Sequence, residues 1–173
     1  MAARALEFAI LTAARTGEVI GARWNEIDRD AKLWTIPVVR MKSEREHRVP
    51  LSPAVLGLLD RLAETPAGDF VFAGGQAGRP LSNMAMLVLL RRMKRDDLTV
   101  HGFRSTFRDW AAERTSFQNE VIEMALAHAV SDKVEAAYRR GDLFDKRRRL
   151  MESWAGYCQS TPTGSAVVPL RRA

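Results

Sequence analysis

Cysteine occurs once in the 173 residues, as Cys158. An intrachain disulfide is therefore excluded, and a reducing compartment is expected. Histidine occurs three times, as His47, His101 and His128, and these with one cysteine show no zinc-type spacing. No glycine-rich loop of the kind that cradles nucleotide phosphates is present. Any chemistry is thus expected to proceed without metal, nucleotide or other cofactor. No apolar run reaches the ~18 residues of a membrane span. The longest, LEFAILTAA at 6–14, reads as a buried helix, and no charged-then-apolar leader opens the chain.

What is present in excess is positive charge. Twenty-seven Lys and Arg face 21 Asp and Glu, a net +6 with a sequence pI near 10.1. That balance favours a polyanionic partner, with nucleic acid the first candidate. The length suits one domain with a real hydrophobic core, and neither an internal repeat nor a dividing linker is visible.

The hydrophobic patterning predicts a mainly helical α+β domain with one small antiparallel sheet. An apolar helix over 3–14 stops at RTGE, and a short helix EVIGARW follows at 18–24. KLWTIPVVR and EHRVPLS are rich in β-branched residues and read as two strands joined by the polar MKSERE. Ser52 before Pro53 marks a helix start, running to about residue 64. DFVFAGG reads as a short strand ending in a glycine turn. Ser82 is placed to cap the helix NMAMLVLLRRM, HGFRSTFRDW forms the next, and NEVIEMALAH another. Asp132 and Glu135 suit a capping box for KVEAAYRR. The last helix carries Leu150, Met151, Trp154, Tyr157 and Cys158 as one apolar stripe. That stripe suits either packing on its own domain or exchange between protomers. The basic run DKRRRL at 145–150 reads as a solvated face able to add phosphate contacts, and the Thr-, Pro- and Ser-containing tail over 160–173 as disordered.

Within HGFRSTFRDW, helical spacing puts His101, Arg104 and Arg108 on one face and Phe103, Phe107 and Trp110 on the other. The aromatic side reads as core, which leaves an imidazole and a guanidinium one turn apart above it. Elsewhere Arg15 ends an apolar helix, where it answers the helix dipole, and Glu18 stands three residues on, able to orient it. Lys42 lies in the polar hairpin turn. His128 follows an apolar helical run, and Tyr138 sits on an amphipathic one. Taken singly, each has an ordinary structural reading.

In order along the chain they resemble the tyrosine recombinase (phage integrase) family. TAARTGEVIGARWNEID resembles its Arg-x-x-Glu box, MKSEREHRVPLS its lysine-bearing hairpin, HGFRSTF its His-x-x-Arg box, and LAHAVSDKVEAAYRR its closing His-to-Tyr segment. The likeness runs from about residue 5 to 158 and is nearest to satellite-phage-type integrases of prophages and genomic islands. It implies a catalytic domain over 1–159, with the amino-terminal DNA-binding domains of such enzymes absent. It implies Tyr138 as nucleophile, Arg15 and Arg104 as phosphate clamp, and Lys42 as general acid on the leaving oxygen. His101 and His128 are implied as hydrogen-bonding the phosphate and assisting proton transfer, with Glu18 behind Arg15. Double-stranded DNA is the implied partner, with self-association to a tetramer on DNA, an excision factor, and a cytoplasmic, nucleoid-associated bacterial location.

The chemistry suits those roles. Attack on a phosphodiester adds negative charge to its non-bridging oxygens, and two guanidiniums offer planar, permanently charged forks for them. A phenol of pKa ~10 needs help to ionise, and an alkoxide leaving group needs a proton. A catalytically silent DNA-binding or interaction remnant of an integrase is the rival reading. A topoisomerase-like nicking enzyme shares the chemistry but matches the boxes less well.

Overall fold

The computed structural model describes residues 1–41, 45–128 and 141–160. Lys42, Tyr138, the Asp132–Glu135 capping box and the tail beyond Ser160 lie outside the described residues.

Helix α1, Ala2–Thr12, is apolar on almost every side, with Ala5, Leu6, Phe8, Ala9 and Leu11 buried. Its one buried hydroxyl, Thr12 Oγ1, donates back to the Phe8 carbonyl at 2.6 Å. The short helix α2 is Thr16–Ile20, earlier than the sequence pattern suggests, because Arg15 and Glu18 form its amino-terminal cap. Residues Trp24–Glu26 make a separate 3-10 turn.

The sheet has three antiparallel strands in the order β1 (Ile27–Asp28), β2 (Leu33–Ile36) and β3 (His47–Pro50). Trp34 faces Ile27 on one side and Val49 on the other. The predicted strand over KLWTIPVVR is cut short at Pro37, which removes a ladder donor, and Val38–Arg40 turn as a 3-10 segment. Strand β1 went unpredicted because two residues carry no alternation to read. Nor does DFVFAGG form a strand: it is held by single bridges, Arg23 to Phe70 and Ala73 to Pro80. Gly74 is required there, since a Cβ would lie 2.4 Å from the Pro80 carbonyl oxygen.

Helix α3, Pro53–Ala63, starts where Ser52-Pro53 places it, although the Ser52 hydroxyl makes no capping bond. The Ser82 hydroxyl accepts from Met84 N at 3.2 Å, but α4 begins only at Ala85 and runs to Arg92. Helices α5 (Gly102–Arg114), α6 (Asn119–Ala125) and α7 (Phe144–Gln159) follow among the described residues. This is the mainly helical α+β domain expected.

Two apolar clusters form the interior. The first joins α1 to the sheet, α3 and α4, with the Phe8 ring edge-on to Trp34 at 5.1 Å and to Phe72 at 5.2 Å. The second joins Ala13 to Phe107 and Ala111 of α5, Val121 and Ile122 of α6, and Leu150, Met151 and Trp154 of α7. Ile10 packs against both. The α7 stripe therefore closes the chain's own core through Leu150, Met151 and Trp154. Tyr157 and Cys158 do not belong to it and are exposed. Among the described residues no helix is long and apolar enough to cross a membrane.

Trp154 is the fastening of the second cluster. Its ring meets Phe107 edge-on at 5.4 Å, and its indole Nε1 donates to the Ile10 carbonyl at 2.7 Å. Trp154→Ala is expected to cost about 3–5 kcal/mol by cavity formation. Trp154→Phe, which keeps an aromatic but loses the donor, should cost about 1–3 kcal/mol. Urea unfolding measures both, and an unchanged midpoint for the alanine variant would contradict this packing.

Candidate active site

The two clusters meet at the end of α1, and four of the predicted residues, Arg15, Glu18, Arg104 and His128, lie around that seam. Ala13 ends α1 in the left-handed region at φ 50°, turning the chain so that Arg15 emerges at once. The Arg15 amide donates to Glu18 Oε2 at 2.7 Å and its guanidinium to Glu18 Oε1 at 2.8 Å. Glu18 is buried and Arg15 only partly so. The carboxylate thus fixes both the backbone and the side chain of the arginine while leaving the guanidinium accessible.

Arg104 comes from the first turn of α5 and is 5% exposed. It therefore does not share an open face with His101 and Arg108, as helical spacing alone suggests. Its guanidinium donates to the Ala13 carbonyl and, at 2.7 Å, to the Leu126 carbonyl. Its Nε, also buried, has no partner among the described residues. An arginine has five N–H donors, and these carbonyls engage two of them. Burial, and then the charge of Arg15, lower its pKa to about 10, with Glu18 opposing. It remains a cation at neutral pH.

Arg15 donates to the next carbonyl, that of Ala127, at 3.4 Å. The two guanidiniums, 89 residues apart in sequence, thus reach neighbouring carbonyls of one short segment. That segment delivers His128. Ala127, like Ala13, is left-handed at φ 50°, and the turn ends α6 and presents the imidazole. His128 Nδ1 lies 2.5 Å from Glu123 Oε2, and Arg108 Nε donates to Glu123 Oε1 at 2.7 Å. Partial burial works to raise the Glu123 pKa, but the bonds from His128 and Arg108 outweigh it and hold the carboxyl below its usual value. His101 caps α5 at the surface, one turn before Arg104.

Sequence reasoning missed two residues beside this cluster. His47 on β3 is shielded among Arg147, Glu18, the Ala125 carbonyl and Arg104. Its signal was the alternation of EHRVP, which puts His47 on the same face as buried Val49. Arg147 was read as part of a solvated basic run but is 2% exposed. It continues the α7 stripe one turn upstream of Leu150 and Met151. Its Nε donates to the Asp142 carbonyl at 2.7 Å, one terminal nitrogen donates to Asp142 Oδ2 at 2.7 Å, and the other donates to the Arg48 carbonyl. The start of α7 is thereby tied to β3. Among the described residues no group of His, Cys, Asp and Glu is arranged to hold a metal ion.

Among solved structures, the fold is shared with the integrase from mycobacterium phage Brujita, with a TM-score of 0.65 at 17% identity over 87% of this chain and 50% of that one. It is shared too with the XerA recombinase, with a TM-score of 0.58 at 15% identity over 92% of this chain and 63% of that one. The phage integrase family model matches residues 2–143, and the chain belongs to that family of tyrosine recombinases. It is 36% identical over 162 residues to the prophage integrase IntA of Escherichia coli K12, covering 92% of this chain and 39% of that protein. It is 34% identical to the integrase of Enterobacteria phage P4 over 88% of this chain, and 33% identical to that of Shigella phage Sf6 over 84%. The chain spans 39% of the length of each of these relatives.

Burial of His47 has a consequence for stability. Burial and then Arg147 lower its pKa from 6.5 to about 4. The unfolded chain takes up a proton below about pH 6.5 that the folded chain refuses until about pH 4. Stability is therefore complete above pH 6.5 and falls as pH drops through that window, by about 2–3 kcal/mol. His47→Gln should flatten the acid limb relative to wild type in urea unfolding between pH 7 and 4.5. Parallel limbs in the two proteins would show that His47 titrates normally.

Proposed function

We propose that the chain is the catalytic domain of a site-specific recombinase that cleaves and rejoins double-stranded DNA through a 3′-phosphotyrosine, for integration or excision of a mobile element. The observation that carries this reading is the convergence of Arg15 and Arg104 on the Leu126–Ala127 carbonyls immediately before His128. Two cations held this close repel each other, and an anion between them relieves that cost. A phosphodiester fits the charge and the fork geometry.

In this reading the Tyr138 oxygen attacks the phosphorus, and its proton passes to an imidazole, His128 or His101. The 5′ oxygen leaves with a proton from Lys42. Arg15 and Arg104 hold the non-bridging oxygens as charge builds there, which is where preorganised donors lower a barrier most. Attack by a free 5′ hydroxyl on the phosphotyrosine returns the phenol and reseals the strand. Glu18 keeps Arg15 aimed, a task its two hydrogen bonds suit.

Family membership and the net charge of +6 support DNA as the partner. Assembly as a tetramer, an excision factor and a nucleoid location are further parts of this proposal, for a chain that spans 39% of the length of the relatives it matches. DNA binding by the chain itself is expected to be sequence-tolerant and steeply salt-dependent, because phosphate contacts dominate it.

The test is adduct trapping on a nicked duplex, from which the released fragment cannot return. Wild type should form a covalent adduct that maps to Tyr138. Tyr138→Phe should form none, with folding and DNA affinity nearly unchanged. Arg15→Lys, which keeps charge but loses the fork, should slow adduct formation by about 10- to 1,000-fold. Absence of an adduct from the wild-type chain favours a silent remnant. An adduct at Tyr157, the other tyrosine in the sequence, overturns the nucleophile assignment.

A further inference from the structure

We infer that Glu123 is a positioning residue for the reaction, setting which nitrogen of His128 carries the proton, and that Arg108 in turn sets Glu123. This rests on the recombinase reading of His128 but concerns a residue outside the His-x-x-Arg and His-to-Tyr boxes. Glu123 lies on α6, five residues before His128, and the left-handed turn at Ala127 folds the imidazole back over it. One carboxylate oxygen meets His128 Nδ1 at 2.5 Å, and the other accepts from Arg108 Nε at 2.7 Å. Glu123 is 21% exposed and His128 39%, so the pair is partly shielded while the ring still reaches solvent.

A carboxylate only accepts hydrogen bonds. Contact with it therefore requires a proton on Nδ1, which leaves the lone pair of neutral His128 on Nε2. Only that tautomer can take the phenol proton of Tyr138 at Nε2 as the oxygen attacks phosphorus. The imidazolium so formed keeps its Nδ1–H on Glu123, whose charge stabilises it until the proton returns in the reverse step. A carboxylate that orients a histidine and fixes its tautomer is a recurrent device of proton-transfer sites.

Arg108 makes the arrangement testable in an unusual way. Arginine can only donate, so in Glu123→Gln the amide oxygen must turn to Arg108. The amide nitrogen then faces His128 Nδ1. A donor there forces the proton onto Nε2, the wrong tautomer for accepting one. Glu123→Gln should therefore be as damaging as Glu123→Ala. Adding Arg108→Ala to the Gln variant frees the amide to turn over and restores the right tautomer. A role confined to holding the fold predicts no such rescue, because the double variant has lost both sides of the ion pair.

Two measurements on the full chain decide it. Long-range 15N–1H correlation spectra of the DNA-free protein read the tautomer of each of its three histidines at pH 8. His128 should be protonated on Nδ1 in wild type, on Nε2 in Glu123→Gln, and on Nδ1 again in the Gln variant carrying Arg108→Ala. Single-turnover adduct formation at saturating nicked duplex should fall about 100-fold in Glu123→Gln and recover by about tenfold in the double variant. A wild-type His128 protonated on Nε2, or a Glu123→Gln variant whose tautomer does not change, overturns the inference. A tautomer change without loss of rate also overturns it, since the proton is then not taken at Nε2. A wild-type chain that shows the Nδ1 tautomer but forms no adduct counts against the recombinase reading, and the catalytic part of this inference falls with it.

Discussion

A buried guanidinium holds this site together. Arg104 lies where the two apolar clusters meet, and removing a charge from water is costly unless its donors are matched. The structure matches them with backbone, through the Ala13 carbonyl at the end of α1 and the Leu126 carbonyl at the end of α6. The same contacts fix the places from which Arg15 and His128 emerge. Packing and chemistry are thus one arrangement, since the core elements cannot shift without moving the site.

The backbone on either side carries the mark of that constraint. Ala13 and Ala127 both adopt left-handed conformations that residues with a Cβ avoid, at about 1–2 kcal/mol each. Each lies within two residues of a site side chain, and each has its carbonyl taken by a guanidinium, Ala13 by Arg104 and Ala127 by Arg15. The arginines hold the two turns, and the turns position the arginines. Asp142 and Arg147 do a similar task farther on, binding the start of α7 to β3.

Much of this was legible in the sequence because period and order carry it. The apolar run of α1, the β-branched windows of β2 and β3, and the stripe of Leu150, Met151 and Trp154 all follow from burial of one face. The order of the charged boxes gave the family. What was not legible depended on tertiary partners. Arg104 looked like a surface residue because spacing shows a face and not what covers it. Arg147 looked solvated because three arginines in a row mask the one on the apolar stripe. Tyr157 sits at stripe spacing yet is exposed, stacked on Trp154 at 5.6 Å near the end of the helix. Glu123 had no visible role until the turn at Ala127 brought His128 back to it.

A crystal structure of the chain bound to a nicked duplex shows whether Arg15, Arg104 and His128 hold one scissile phosphate. One phosphate is expected whose non-bridging oxygens accept from both Arg15 and Arg104 at about 2.7–3.1 Å, with Tyr138 in line with the leaving oxygen. Arg104 should keep its bonds to Ala13 and Leu126. A duplex bound across another face, with Arg104 donating only to those two carbonyls and no phosphate near Arg15, would show that these residues do not hold the scissile phosphate.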